Sequence, residues 1–126
     1  MKLKNVADII SGITFRSRIE FSSEGNIQVI QMKDLGDDNY VDVQNCISIN
    51  YPAPKSNQLA MIGDIIFRSR GQTNTAALLS EKIDNMVVAA PLFRIRPNKE
   101  KVIPEYLLWW INQPASQIFL NSRSKG

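Results

Sequence analysis

Phe-Arg-Ser-Arg occurs twice in this chain, at Phe15-Arg16-Ser17-Arg18 and Phe67-Arg68-Ser69-Arg70, and a third basic pair, Arg123 and Lys125, stands near its end. The second copy closes a strand-like run, Gly63-Asp64-Ile65-Ile66-Phe67, and leads into Gly71-Gln72-Thr73-Asn74-Thr75. Residues two apart in an extended chain share a face. Arg68 and Arg70 then project together, and Gln72 and Asn74 continue the row if the extension persists. A guanidinium forks onto the O6 and N7 of guanine, and a carboxamide onto the N6 and N7 of adenine. Thr73 and Thr75 add hydroxyls suited to phosphate oxygens. The chemistry on offer is nucleic-acid recognition, and the alternative is an edge strand with a solvated polar face.

The other basic residues are weaker signals. Arg16 and Arg18 lie in a polar loop that could follow a phosphate backbone without reading bases, but Glu20 and Glu24 dilute the field. Lys33 joins the candidates for phosphate contact, although Asp34 beside it offers a local ion pair. Arg123 and Lys125 form a basic tail or a cut loop. Arg94 and Arg96 share a face of another apparent strand and read as solvated. Tyr106, Trp109 and Trp110 only superficially suggest a stacking platform, because Trp110 falls on an apolar helical stripe.

Charge supports the same direction modestly. Fifteen Lys and Arg against twelve Asp and Glu give +3, with a pI of about 9.2. Residues 1–63 hold six basic and seven acidic side chains and residues 64–126 hold nine and five, so the positive field belongs to the second half. Histidine is absent, which excludes histidine triads, histidine general bases and the usual zinc sites. Cys46 is the sole cysteine, so there is no disulfide framework. No Asp or Glu stands two residues before a Lys, and there is no glycine-rich phosphate loop. Asp34, Asp37 and Asp38 cluster in what reads as a surface turn without the pattern of a calcium loop. The expectation is a non-catalytic protein needing neither metal nor cofactor. No apolar run approaches a membrane span, and the basic start lacks a signal peptide's apolar stretch, so the expected location is the cytoplasm.

One domain of 126 residues must position these groups. Leu3, Val6, Ala7, Ile9 and Ile10 suggest a short helix ended by Ser11-Gly12. Residues 26–32 alternate as a strand. Tyr40, Val41 and Val43 suggest a further extended piece, continued by Ile47 and Ile49. Residues 65–68, 76–79, 86–89 and 92–96 read as strands, with residues 81–85 as a hairpin between the middle two. Pro104 and Glu105 suit the first turn of a helix whose Leu107, Trp110 and Ile111 form a stripe. A second short helix follows Pro114. Strands followed by helices predict an α+β domain with a twisted, mostly antiparallel sheet and helices at the C-terminal end.

The order of motifs resembles one target-recognition domain of the DNA-specificity subunit of type I restriction–modification systems. The matching pieces are Val6-Ala7-Asp8-Ile9-Ile10-Ser11-Gly12-Ile13-Thr14, Val29-Ile30-Gln31-Met32-Lys33-Asp34-Leu35, Gly63-Asp64-Ile65-Ile66-Phe67 with Arg70-Gly71, and Ile103-Pro104-Glu105-Tyr106-Leu107-Leu108. The resemblance implies a non-catalytic β-rich domain that reads half of a bipartite double-stranded DNA target. It also implies partners: methyltransferase (modification) and restriction subunits, and a second recognition domain or a second copy of the chain. In the family, the regions corresponding to Gly12–Arg18 and Arg68–Thr75 face DNA. This chain departs where Gln72-Thr73-Asn74-Thr75 replaces an often glycine-containing stretch, and where Ala90-Pro91 replaces an often polar pair. The family's long C-terminal spacer helix is missing. The competing expectation is an assembly module in which Leu108, Trp109 and Phe119 meet a partner.

Overall fold

The computed structural model describes residues 5–15, 25–51, 54–68, 75–81 and 83–113. The chain forms β1 (Ala7–Ser11), β2 (Ile27–Ile30), β3 (Ile47–Ile49), β4 (Ile65–Arg68), β5 (Thr75–Leu78), β6 (Met86–Val88), β7 (Leu92–Pro97) and α1 (Pro104–Ile111). The architecture is α+β. Two sheets, rather than a single one, carry it: a four-stranded antiparallel sheet in the order β1-β7-β4-β5 and a three-stranded sheet in the order β3-β2-β6. Within the smaller sheet β2 runs antiparallel to β3 and parallel to β6.

Alternation along the strands builds the layers. Ile65 and Phe67, Ala76 and Leu78, and Ile95 turn one face of the larger sheet towards Leu107, Leu108 and Ile111 of α1. Ile66, Ala77 and Leu92 turn the other face towards Ile30, Met86 and Val88 of the smaller sheet. Ile27, Val29, Val87 and Ile49 form a third cluster on the far side of that sheet, joined by Phe15 and Tyr51. Each fully buried Leu or Ile contributes roughly 1.5–3 kcal/mol, so α1 is held chiefly by its three core residues. Pro104 opens the helix, where its missing N–H costs nothing. Asn112 ends it, accepting from the Ala76 N–H at 3.1 Å and donating to the Ala76 carbonyl at 3.3 Å.

Several expectations are corrected. The segment expected as a helix is β1, paired with β7 from Ala7↔Pro97 to Ser11↔Phe93. Its β-branched Val6, Ile9 and Ile10 suit a strand, and a ready antiparallel neighbour outweighs a short helical pattern. Residues 81–85 do not close a hairpin, because β5 and β6 belong to different sheets. Tyr40 and Val41 make isolated bridges along Leu78 and Leu35 rather than a strand, and Val43–Asn45 is a 3-10 turn. Leu108, expected on the surface, is buried. The second helix expected after Pro114, with Phe119, lies outside the described residues. Among the described residues, no helix is long and apolar enough to cross a membrane.

Candidate nucleic-acid interface

Register brings Gly12, three residues before the first Phe-Arg-Ser-Arg copy, and Arg68, within the second, to one end of one sheet. β1 and β4 both run antiparallel to β7, so both finish where β7 begins. Arg68 pairs with Leu92 on β7 and with Thr75 on β5. Gly12, one residue beyond β1, donates its N–H to the Leu92 carbonyl at 2.8 Å. Gly12, Leu92, Arg68 and Thr75 thus form a row across the sheet, and with neighbouring strands about 4.8 Å apart, Gly12 and Arg68 stand roughly 10 Å apart. The helix contributes to the same end, since Asn112 is tied to Ala76, next to Thr75. Among the described residues, Gly12, Arg68, Thr75 and the end of α1 therefore adjoin one edge of the larger sheet.

The local sequence explains this placement. A Cβ on Gly12 would lie 2.6 Å from the Ala89 carbonyl carbon and 2.7 Å from the Ala90 nitrogen. Only glycine lets the chain leave β1 this close to the β6–β7 connection, which contains a cis peptide bond between Ala90 and Pro91. From there Ile13 bridges to Ala89, and Phe15 packs edge-on against Tyr51 with ring centroids 5.6 Å apart. Arg68 is half-buried at the last position of β4. Thr75 pairs antiparallel with Arg68, and the residues between them lie outside the described ones. Arg16, Arg18, Arg70, Gln72, Thr73, Asn74, Arg123 and Lys125 lie outside the described residues.

Lys33 sits apart from this row, in a 3-10 turn after β2. Its amine donates to Asp34 Oδ1 at 2.7 Å and to the Asn45 carbonyl at 2.5 Å, so the expected local ion pair is present. Asp34 itself is fully buried rather than part of a surface turn. Its carboxylate also accepts from the Gln31 N–H at 2.8 Å and the Asn45 side chain at 2.9 Å. These bonds satisfy an ionised group away from water, which is why the position tolerates burial. Burial, then the Asp34 charge and hydrogen bond, push the Cys46 thiol up to about 12.

At the opposite end of the larger sheet the same residue types are used differently. Arg96 donates through Nε to Asp64 Oδ1 and through Nη2 to Oδ2, both at 2.9 Å, and Nη2 also reaches the Leu59 carbonyl at 3.0 Å. Asp64 accepts the Met61 N–H at 2.8 Å, closing the turn in which Gly63 adopts φ +93°. Arg94 is only 4 % exposed. The face expected as solvated is therefore buried at Arg94 and half-buried at Arg96, because the chain segment leading to Asp64 covers it. The Asp64 hydrogen bond raises the Arg96 pKa, and burial lowers that of Arg94.

Two further surface features were only partly legible in the sequence, through the expected exposure of Trp109 and the turn with Asp37 and Asp38. A cavity of about 600 Å³ is bordered by Asp37, Asp38, Asp42 and Glu81 with Tyr40 and Ser80. The outer side of α1 exposes Ile103, Tyr106 and Trp109, the two rings lying 5.8 Å apart. Helical spacing marks the three as one stripe, but nothing local separates an exposed stripe from a buried one. Among the described residues, no three carboxylate or thiol side chains form a group able to hold a metal ion. Compared with known proteins, the chain matches no family model and none of the curated proteins.

Proposed function

We propose that this chain is a sequence-specific double-stranded DNA recognition module of the kind found in type I restriction–modification specificity subunits. The observation that supports the reading is the row Gly12, Leu92, Arg68, Thr75, which brings the chain shortly before the first Phe-Arg-Ser-Arg copy and Arg68 of the second to one end of one sheet. Cationic segments on a fixed base can engage phosphates together, and the connection between β4 and β5 supplies guanidinium and carboxamide groups to base edges. In this reading the protein is cytoplasmic and performs no catalysis. It positions methyltransferase and restriction subunits on DNA.

The test is selection of bound duplexes from a random pool at two salt concentrations, with the wild type and an Arg68→Ala/Arg70→Ala variant. A short enriched motif that vanishes in the variant is the expected result. Equal binding of all sequences by both proteins, weakening with salt, would leave only phosphate attraction.

A second reading is favoured by α1, where Ile103 is 64 %, Tyr106 52 % and Trp109 57 % exposed. An assembly module would bind a partner through this stripe. Its association would be insensitive to salt and indifferent to loss of Arg68 and Arg70.

A further inference from the structure

Leu92, Arg94 and Arg96 follow one another along the face of β7 that looks away from α1. Leu92 is in the inter-sheet core and Arg96 is held by Asp64. Arg94 lies between them, beside Ile10 on β1 and Ile66 on β4 by register. Its Nε and Nη1 are shut off from solvent without a hydrogen-bond partner, and Nη2 donates to the Asn57 carbonyl at 3.3 Å. The nearest carboxylate along the face, Asp64, is already engaged by Arg96, whose charge further disfavours a second cation. Asp8 is exposed on β1.

A buried guanidinium with two unmatched nitrogens is costly, and a hydrophobic side chain of similar length would fill the same space without that cost. Such groups in folded proteins call for a partner. Two adjacent guanidiniums favour a negatively charged one, and Arg offers an oxyanion several donors in a fixed geometry. What covers Arg94 is a short strap, the 3-10 turn Ser56–Gln58 with Lys55 before it. Most of this strap is exposed, and apart from the Asn57 carbonyl its bonds among the described residues are internal: the Lys55 N–H to Gln58 Oε1 at 2.8 Å and the Gln58 N–H to the Lys55 carbonyl at 2.9 Å. Firm attachment begins only at Leu59 and Ala60, through Arg96 and the Met86 carbonyl.

We propose that Arg94 anchors a binding site for a small oxyanion, a phosphate group in class, beneath the Lys55–Gln58 strap. The strap pivots at Leu59, the Asn57 carbonyl withdraws, and the anion accepts from the nitrogens that lack partners. Lys55 adds a cation on the strap itself. This site is on the inter-sheet face of β7 and stands independently of DNA reading at the Arg68 end.

The test compares thermal unfolding of the wild type and Arg94→Met in inorganic phosphate and in chloride at equal ionic strength. The wild type should gain about 5 °C at a phosphate concentration ten times Kd, and Arg94→Met should gain nothing. In chloride the variant should melt at or above the wild type, which a purely structural arginine would not allow. Should Arg94→Met fail to fold, the Nε–H resonance of Arg94 in the wild type decides: it must shift as phosphate saturates. An unchanged resonance, or equal stabilisation of both proteins, overturns the site. A duplex that shifts the same resonance assigns the phosphate to DNA, and a bound duplex that leaves it unmoved assigns it to a free anion.

Discussion

The two ends of the four-stranded sheet spend their arginines in opposite ways. At one end Arg96 is locked in a two-point bond to buried Asp64, and the chain around Gly63 is cinched to the sheet. At the other, Arg68 is the last residue of its strand and opens the connection to Thr75, across from Gly12. One end ties a distant turn to the sheet, and the other carries Arg68 at the close of its strand. The comparison teaches that arginine count and charge say little by themselves. At Arg96 the carboxylate that makes the guanidinium structural comes from a distant stretch of sequence.

The largest test of this contrast is Asp64→Ala. It strips Arg96 of its partner and leaves the Met61 N–H without an acceptor, so stability in urea unfolding should fall by about 3–5 kcal/mol. Adding Arg96→Met should recover part of that loss, and a drop below about 1 kcal/mol for the single variant would show the closed end is no staple. Gly12→Ala comes next. Its Cβ meets backbone atoms at 2.6–2.8 Å, which should cost about 1–3 kcal/mol and disturb the binding end at the same time. Arg68→Ala tests the other end: affinity for one preferred base should fall by about 1–3 kcal/mol in duplex titrations, with binding to other sequences less affected.

The smallest effect concerns Cys46, which lies at neither end. Its folded pKa is raised to about 12, above the value in an unfolded chain, so its stabilising contribution is complete below about pH 8.5. That contribution drains away as pH climbs from there towards 12, because the unfolded chain loses the proton first. Alkaline unfolding of the wild type should therefore be steeper than that of Cys46→Ala. At pH 8 the thiol should react with a maleimide far more slowly than a free cysteine does.

Much of the secondary structure could be read from local pattern. Alternation marks 27–30, 65–68 and 92–97, and Pro104 with Leu107 and Ile111 marks the helix. What failed was non-local. β1 looked helical because only its pairing with β7 makes it a strand, and residues 81–85 looked like a hairpin because nothing local says that β5 and β6 join different sheets. Arg94 and Arg96 read as solvated because their cover is supplied by residues 54–64, some thirty positions earlier. Asp34 read as a surface acid because its acceptor role depends on Asn45. Lys33 was legible since its partner is adjacent. The Arg68 segment was singled out by composition, yet its alignment with Gly12 required the register of three strands.

The order β1-β7-β4-β5 also governs how this protein is made. Among the described residues the first strand adjoins the last, so during synthesis β1 waits for its partner β7 until Leu92–Pro97 has left the ribosome. Through that interval Ile9 and Ile10 are an apolar strand with both edges open, a template for wrong pairing. Translation speed and chaperone supply, more than the final stability of the domain, should set how much of it reaches the native state.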